Sequence, residues 1–257
     1  MITLITDFGL RDPFAGILKG VILRINPDAK IVDLTHEIAS FDILEAALAL
    51  VRSYAYFPSG TIHVVVVDPG VGSARRPILA TTEGAHFIGP DNGVFSLVYE
   101  REASTVVRHL TRDRYFLDPV SQTFHGRDVF APVAAWLSKG VPTEQFGERI
   151  TDPVRLAIAR PERAADGGIE GAVIHVDKFG NLLTNLRPAD FPPGRSFRLL
   201  INDREIKRLV SGYAAGAPGE LFAIVGSTGL VEIAANQNSA AAMLGAQRGV
   251  ELQLIFD

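Results

Sequence analysis

The sequence contains no cysteine, and only two methionines and one tryptophan among its 257 residues. The absence of cysteine excludes a disulfide framework, thiolate zinc ligands and a catalytic thiol, and it suits a reducing compartment. Dense basic runs are also missing. The 25 Lys and Arg residues are outnumbered by 29 Asp and Glu residues, which gives a net charge of −4. Such a chain has little electrostatic attraction for phosphate backbones, so we expect no nucleic acid partner.

Long apolar runs are missing as well. No stretch approaches the roughly 20 residues that span a bilayer, and the start of the chain lacks the basic segment of a signal peptide. We therefore expect no membrane partner and a cytoplasmic location. The composition that is present, 47% hydrophobic and 21% charged residues, is typical of a folded globular protein and excludes a disordered, collagen-like or coiled-coil chain.

The first 150 or so residues alternate β-rich runs with helical patterns, which is typical of an α/β architecture. The predicted strands and helices are, in that order, Ile2 to Ile5, Ile31 to Leu34, Ile62 to Val67, then Pro13 to Ile25, Leu44 to Tyr54 and about Asp128 to Ser138. The third strand is continuously apolar, so it belongs in a central, mostly parallel sheet that is covered on both faces. Asp12 is predicted to cap the first helix, with Pro13 in its first turn.

Residues 152–168 have no clear period and are expected to be a linker or a surface excursion. We therefore predict an N-terminal α/β catalytic domain over residues 1–152 and a smaller C-terminal domain over 168–257. Short strand candidates separated by turn signals favour an antiparallel, β-barrel-like fold for the second domain, with one helix at Ser239 to Leu244. The strand candidates are Ala172 to Val176, Leu182 to Leu186, Phe197 to Ile201, Glu205 to Leu209, Leu221 to Val225, Leu230 to Ala234 and Glu251 to Phe256.

Polar segments follow four strands of the first domain, at the strand ends where α/β sheets bind ligands. These segments are Thr6-Asp7-Phe8-Gly9, Asp33-Leu34-Thr35-His36, Asp68-Pro69-Gly70-Val71-Gly72 and Gly89-Pro90-Asp91-Asn92-Gly93. Any one of them alone is also explained as a turn. Four such segments at one sheet edge favour a functional site.

Three side chains of the first domain are candidates for acid–base or electrostatic chemistry. Asp68 follows four consecutive valines, and desolvation at such a strand end raises the basicity of a carboxylate, so Asp68 is a candidate general base. A Gly-rich turn can fold Arg75 back toward Asp68, although an exposed pair with Arg76 is the alternative explanation. His125 precedes the third predicted helix, where a structural turn role is the alternative.

Other common motifs are absent from the sequence. The spacings of histidine and acidic residues match no usual metal motif, so no metal site is predicted. The Gly70 to Ser73 segment is neither a phosphate loop nor a dinucleotide fingerprint, and no Gly-x-Ser-x-Gly elbow occurs. In the second domain, residues 177–185 are explained either as a hairpin turn or as a binding edge, where Asn181 pairs with a purine and Phe179 stacks on it.

The four polar segments that follow strands of the first domain resemble, in the same order along the chain, the motifs of the S-adenosyl-L-methionine (SAM) hydroxide adenosyltransferases. That family is related to the SAM-dependent fluorinase and chlorinase. Further motifs that carry the resemblance are Phe124-His125-Gly126-Arg127-Asp128 and Phe179-Gly180-Asn181 with Thr184-Asn185. Members of that family have an N-terminal α/β domain and a C-terminal antiparallel β domain, and they cleave SAM with water to adenosine and L-methionine. The resemblance implies that SAM is the substrate, that no cofactor is needed, and that the chain forms a homotrimer with active sites at subunit interfaces.

The resemblance also implies a role for individual residues, with Asp68, Arg75 and His125 as the catalytic group of the water-using branch. The expected substrate-binding residues are Asp7 at the ribose hydroxyls, Asp12 at the methionine amino group, Phe41 beside the ribose, and Asp177, Phe179, Asn181 and Ser227 at methionine and adenine, with backbone contacts near residues 236–239. Halogenases instead surround the halide with an aromatic and hydroxyl-bearing residues and carry an insertion, and this sequence shows neither. The alternatives are a SAM-dependent chlorinase and a non-catalytic sensor of SAM or adenosine.

Overall fold

The computed structural model describes residues 1–192 and 194–256. The chain divides into two compact units, Met1–Leu156 and Ala157–Asp257, and the division lies within the aperiodic segment 152–168. Within the described residues, no helix has both the length and the apolar character that crossing a bilayer requires.

The first unit contains a seven-stranded sheet with four α-helices. The strands are β1 (Ile2–Thr6), β2 (Ile31–Thr35), β3 (Thr61–Val66), β4 (Pro77–Thr81), β5 (Ala85–Pro90), β6 (Val106–His109) and β7 (Arg149–Ile150), and the helices are α1 (Phe14–Ile25), α2 (Ile43–Ser53), α3 (Ser96–Arg101) and α4 (Ala131–Ser138). The strand order is β2-β1-β3-β5-β4-β6-β7. The first four strands in this order are parallel and the remaining pairings are antiparallel. The predicted α/β class is confirmed, and its sheet is mixed, with parallel pairings in one half.

Both faces of this sheet are covered, as the apolar sequence of β3 predicts. Val64 and Val66 pack in one core cluster with residues of α1 and α4, such as Leu18. Val65 packs in a second cluster on the opposite face, with Leu50 of α2. Successive strand residues point to opposite faces, so a strand buried on both sides needs an apolar residue at every position.

Two helix starts differ from the prediction. Asp12 does not cap α1, because Pro13 holds the N-cap position and no side chain bonds to the first turn. The predicted helix at Asp128 begins instead as a π-helical turn, Gly126–Phe130, which continues into α4. In contrast, α2 has a side-chain cap, since Asp42 Oδ1 accepts a hydrogen bond from the Glu45 N–H at 3.0 Å.

Among its described residues, the second unit has a nine-stranded sheet and one short α-helix. Its elements are β8 (Glu162–Arg163), β9 (Ile169–Val176), β10 (Leu182–Thr184), β11 (Phe197–Ile201), β12 (Arg204–Ile206), β13 (Leu209–Val210), β14 (Leu221–Val225), β15 (Val231–Ala235), β16 (Glu251–Phe256) and α5 (Ala240–Leu244). The order is β12-β11-β16-β9-β10-β15-β14-β13, and β8 pairs with β9. All pairings are antiparallel except that between β13 and β14, which confirms the predicted antiparallel class.

Two details of the second unit correct the prediction. The single strand expected at Glu205 to Leu209 is divided between β12 and β13, which pair with different neighbours. The β8 strand lies inside the predicted linker. It has only two residues, which is too short for an alternation of apolar and polar residues to be visible in the sequence. The core beneath the sheet is built from inward-facing residues of its longer strands, such as Val173, Leu199 and Ile233.

Candidate active site

The parallel half of the first sheet collects polar residues at one edge. Strands β2, β1, β3 and β5 are adjacent and parallel, so their carboxyl ends lie side by side. The segments that begin at Asp7 and Asp68 follow β1 and β3 there, as predicted. Asp33 differs, because it lies within β2 and not beyond its end. Asp91, after β5, is buried and bonded to Arg76 Nε at 2.8 Å and to the Val154 N–H at 2.8 Å.

Asp68 and Arg75 form a buried, bidentate ion pair at this edge. Arg75 Nε donates to Asp68 Oδ1 at 2.8 Å, and Arg75 Nη2 donates a short hydrogen bond to Asp68 Oδ2. The two side chains are only 8% and 6% exposed. The alternative of an exposed Arg75 is therefore wrong. Two parallel charge-assisted hydrogen bonds between buried groups fix the orientation of both the carboxylate and the guanidinium.

The loop between these two residues has the conformation that returns Arg75 to Asp68. The Val71 and Ser73 N–H groups bond to the carbonyls of Asp68 and Gly70 at 3.2 and 3.0 Å, which closes two successive turns. Gly72 has φ +78°, and a Cβ there would lie 2.3 Å from the Gln122 carbonyl oxygen. Only glycine fits this position, because the left-handed backbone and the close approach both exclude a side chain.

His125 extends the ion pair. Its Nδ1 lies 2.7 Å from Arg75 Nη2. A guanidinium can only donate, so Nδ1 accepts this hydrogen bond and the ring proton of the neutral imidazole is on Nε2. Burial, together with the neighbouring Arg75 charge, holds the pKa of His125 below its ordinary value of 6.5. The imidazole is therefore neutral at pH 7 and presents Nε2–H as a donor.

Arg75 also has a donor that the protein leaves unused. Its Nη1 atom is buried and has no hydrogen-bond partner among the described residues. The guanidinium lies over the ring of Phe130, with Cζ 5.5 Å from the ring centroid. Phe130 is the last residue of the π-helical turn that begins directly after His125, and such turns are frequent at functional sites. Sequence analysis did not identify Phe130, because it resembles any other buried aromatic residue.

Three aromatic rings hold the neighbouring segments together. Phe8, Phe14 and Phe124 make mutual edge-to-face contacts with ring centroids 5.5 to 5.8 Å apart. Phe8 follows Asp7 and Phe124 precedes His125. The cluster therefore joins the Asp7 segment to the His125 segment by apolar packing, which the spacing of these residues in sequence does not reveal.

The other substrate-binding candidates of the first unit lie near these segments. Asp7 Oδ2 accepts a hydrogen bond from the Phe41 N–H at 2.9 Å. Phe41 has φ +69° and its side chain is 68% exposed. Asp12 is exposed, and no hydrogen bond or ion pair of its side chain occurs among residues 1–192 and 194–256. The Asp12 carboxylate is thus not occupied as a helix cap.

In the second unit, residues 177–181 form the tight turn of the β9–β10 hairpin. Asp177 Oδ1 accepts from the backbone N–H groups of Phe179 and Asn181, both at 2.9 Å, and Oδ2 accepts from Asn181 Nδ2 at 2.9 Å. One amide hydrogen of Asn181 is therefore occupied within the turn, while its Oδ1 and second hydrogen can still pair with a ligand. The side chain of Phe179 is 75% exposed.

This turn is also the wall of an open pocket of about 550 Å³, so the hairpin and the binding-edge interpretations are compatible. The lining residues are Asp177, Phe179, Asn181, Tyr213, Ala235, Gln237 and Asn238. Tyr213 was not identified from the sequence, because no motif surrounds it. Its hydroxyl donates to Glu232 Oε2 at 3.2 Å, and burial together with the Glu232 charge raises its pKa to about 12. Ser227 is exposed on the β14–β15 turn and is not part of the described lining.

No group of three or more His, Cys, Asp or Glu residues in the described part of the chain is arranged to hold a metal ion. Three acidic residues of this sheet edge are instead bonded to protein groups, Asp68 to Arg75, Asp91 to Arg76 and Asp7 to the Phe41 N–H.

Comparisons with known proteins match this fold and these motifs over nearly the whole chain. Residues 2–147 match the sequence model of the SAM hydroxide adenosyltransferase N-terminal domain, and residues 171–253 match that of the C-terminal domain. The first match lies in the α/β unit of this chain and the second in its antiparallel β unit, so the chain is a two-domain protein of this class. The chain belongs to the SAM hydroxide adenosyltransferase family.

Individual relatives agree with this assignment. The chain is 38% identical to the (R)-S-adenosyl-L-methionine hydrolase of Thermus thermophilus over 98% of both proteins. A solved structure of an uncharacterized conserved protein from Thermotoga maritima aligns with a TM-score of 0.90 and 36% identity, covering 99% of this chain and 100% of that one. A fluorinase of Nocardia brasiliensis is more distant, at 25% identity over 99% of this chain and 96% of the fluorinase. That alignment spans 288 positions, so the fluorinase carries insertions relative to these 257 residues.

Proposed function

We propose that this protein is an enzyme that hydrolyses SAM to adenosine and L-methionine. The observation that carries the proposal is the buried contact of Asp68, Arg75 and His125 at the carboxyl edge of the sheet. Membership of the family supports it, as does the 38% identity to a hydrolase over the full chain.

The reaction is an in-line displacement at C5′ of the ribose. The oxygen of a water molecule forms a bond to C5′, the bond between C5′ and the sulfonium sulfur breaks, and its electron pair stays on sulfur. Methionine leaves as a neutral thioether, so no acid is needed to protonate the leaving group. One proton must leave the attacking water, and activation of this weak nucleophile is the task of the protein.

The proposal gives the three side chains different tasks, which their hydrogen bonds support. Asp68 accepts the proton, because each carboxylate oxygen that bonds to Arg75 retains a second lone pair. His125 is a poor base here, since Nδ1 is occupied by Arg75 and Nε2 carries the ring proton. Its Nε2–H and the unpartnered Arg75 Nη1 can orient the water and stabilise hydroxide character as it develops.

Substrate binding completes the proposal. We assign Asp7, with Phe41 beside it, to the ribose, and Asp12 to the methionine amino group. We assign Asp177, Phe179, Asn181 and Ser227 to methionine and adenine. The exposed ring of Phe179 supports this assignment, since an aromatic face at a pocket wall suits a purine. SAM and water are the only reactants in this proposal, and neither a metal nor another cofactor takes part.

The assembly is proposed to be a homotrimer with active sites at subunit interfaces. Apolar side chains around Asp7 support association, because Leu10, Phe14 and Phe41 are 74%, 41% and 68% exposed. Exposed apolar residues grouped in this way are typical of surfaces that a partner covers. Light scattering after gel filtration should give three times the mass of one chain, and a monomer of full activity would contradict the assembly.

Incubation with SAM in ¹⁸O-labelled water tests the activity directly. Mass spectrometry should find the label in the 5′-hydroxyl group of adenosine, and unlabelled adenosine would exclude water as the nucleophile. A parallel reaction with chloride tests the alternative halogenase, which would form 5′-chloro-5′-deoxyadenosine. Tight calorimetric binding of SAM with no product after hours would indicate a sensor.

A further inference from the structure

We propose that His36 is a positioning residue, which through Thr6 orients the Asp7 carboxylate for recognition of the ribose hydroxyls. This inference rests on the proposed function only in taking Asp7 as the ribose-binding residue. In this role His36 acts through Thr6 and contacts neither the substrate nor the reacting atoms.

The side chain of His36 bonds to the residue that precedes Asp7. Its Nδ1 lies 2.8 Å from Thr6 Oγ1, and both side chains are buried, with His36 4% and Thr6 0% exposed. Thr6 Oγ1 in turn accepts a hydrogen bond from the Phe8 N–H at 3.2 Å. A hydroxyl has one hydrogen and two lone pairs, so Thr6 Oγ1 bonds to the imidazole while it accepts from Phe8, and it connects His36 to the residues on both sides of Asp7.

The backbone of His36 supports the same segment. Its carbonyl oxygen accepts from the Gly9 N–H at 2.7 Å, and the Ile38 N–H donates to the Thr6 carbonyl at 3.4 Å. Gly9 has φ +66°, so the chain turns directly after Phe8. Residues 6–9 are therefore held at several points, and each of them restricts the direction in which Asp7 projects.

The opposite edge of the imidazole faces an ion pair. His36 Nε2 lies 3.1 Å from Asp33 Oδ1, an electrostatic contact whose N–H is not aligned as a full hydrogen bond. Lys19 Nζ donates to Asp33 Oδ2 at 2.5 Å. Burial alone would raise the pKa of Asp33, but the contacts with Lys19 and His36 outweigh it and lower that pKa. A charged Asp33 thus holds the Nε2 edge, which leaves Nδ1 directed at Thr6.

Two conservative substitutions separate these contacts. The side-chain amide of His36→Asn lies where Nδ1 lies and keeps the Thr6 bond, whereas His36→Gln reaches the Nε2 position near Asp33 and loses it. Thr6→Val keeps the volume and removes the hydroxyl. The measurement is the ratio of the dissociation constants of 2′-deoxyadenosine and adenosine, obtained by calorimetry on the full chain.

The wild-type protein should bind adenosine the more tightly. The ratio of the two dissociation constants should fall about fivefold to tenfold in His36→Gln and in Thr6→Val, because each loses about one hydrogen bond. In His36→Asn the ratio should stay within about twofold of the wild-type value. The double variant Thr6→Val/His36→Gln should be no worse than Thr6→Val, because both changes remove the same contact. General destabilisation would weaken both nucleosides alike and leave the ratio unchanged.

Several results would overturn the inference. These are an unchanged ratio in His36→Gln, an equal fall in His36→Asn, additive losses in the double variant, or a wild-type protein that does not distinguish the two nucleosides. The readout is binding alone, so it is separate from the proposed activity. A wild-type chain that discriminates the nucleosides but converts no SAM would refute the hydrolase and leave the positioning role of His36 supported.

Discussion

Arg75 connects the charged groups of the candidate site. Its Nε and Nη2 atoms bond to Asp68, Nη2 also bonds to His125, and Nη1 has no partner within the described part of the chain. A buried cation that is only partly bonded is costly unless another group completes its coordination. The unpartnered Nη1 donor is therefore available to a further group, which supports the role proposed for Arg75 beside the attacking water.

Replacement of Asp68 tests the proton acceptor. Asp68→Asn should lower kcat by about 10²- to 10⁴-fold, the usual contribution of a general base, with a much smaller change in KM for SAM. Steady-state kinetics measure both. Asp91→Asn is the matched control, because Asp91 is also buried and bonded to an arginine, Arg76. The control should be less stable but keep the wild-type kcat, and equal losses in both variants would contradict the assigned role.

The neutral state of His125 gives a prediction on pH. Its pKa lies below 6.5, chiefly because of burial and then because of the Arg75 charge, so the folded protein binds this proton only in more acidic solution. Protonation would break the contact of Nδ1 with Arg75. The profile of kcat/KM should therefore be flat from pH 8 to about 6.5 and decline at lower pH. In His125→Asn, which cannot titrate there, this acid decline should be absent, and a midpoint above 6.5 in the wild type would contradict the assignment.

At the scale of elements, the candidate residues of each unit lie at strand ends and in turns. The adjacent carboxyl ends of β1 and β3 carry Asp7 and Asp68, and a π-helical turn places Phe130 against Arg75. In the second unit, the β9–β10 turn carries Phe179 and Asn181. These elements are rigid at their strand-paired ends, so a change in one turn should move a whole group of side chains.

Gly180 tests the β9–β10 turn. It has φ +82°, and a Cβ there would lie 2.0 Å from Ser239 Oγ and 2.7 Å from Ser239 Cβ. Gly180→Ala should therefore displace the turn and weaken SAM binding more than tenfold in calorimetry. The matched control is Gly20→Ala in α1, where a Cβ meets nothing within 4 Å. That control should bind normally and be more stable by about 0.5–1 kcal/mol in urea unfolding, and normal binding by Gly180→Ala would refute the role of the turn.

At the scale of the whole molecule, each unit has its own apolar core, and the core of the first unit contains a titratable group. His63 is fully buried and stacks on Phe87, with ring centroids 5.3 Å apart. Its Nδ1 bonds to Thr3 Oγ1 at 2.7 Å, while Nε2 has no partner in residues 1–192 and 194–256. Burial lowers its pKa from 6.5 to about 4.

This buried histidine should make the molecule sensitive to acid. The unfolded chain binds the proton near pH 6.5 and the folded one only near pH 4, so stability falls as the pH decreases between these values. We expect His63 to contribute a loss of about 2 kcal/mol between pH 7.5 and 5. Urea titrations at pH 7.5 and at pH 5 measure the free energy of unfolding of the wild type and of the double variant Thr3→Val/His63→Phe. The decrease between the two pH values should be about 2 kcal/mol smaller in the variant. An equal loss in both proteins would refute this account.

Metal removal is a second test at the molecular scale. In the proposed mechanism the leaving thioether is neutral and needs no Lewis acid, and Asp68 and Arg75 are the groups that activate the water. Dialysis against EDTA should therefore leave the rate of adenosine formation unchanged. A loss of activity that added Mg²⁺ or Zn²⁺ restores would overturn the proposed mechanism, and full activity of the dialysed enzyme supports it.

Much of the architecture was determined by local sequence. Continuous apolar runs required strands buried on both faces, as in β3, and short strand candidates between turns indicated the antiparallel unit. These predictions succeed because side-chain periodicity and turn chemistry act over a few residues. The same reasoning indicated that Asp7 and Asp68 lie at one sheet edge, since the carboxyl ends of neighbouring parallel strands lie together.

The tertiary structure alone decided what these side chains do once they meet. Whether Arg75 folds onto Asp68 or into solvent, and whether His125 offers a lone pair or a proton, depends on contacts between residues far apart in the chain. The uncapped start of α1, the π-helical turn before α4 and the link from His36 to Thr6 are of the same kind. Burial and the directions of hydrogen bonds are properties of the packed molecule, and no spacing of residues along the chain contains them.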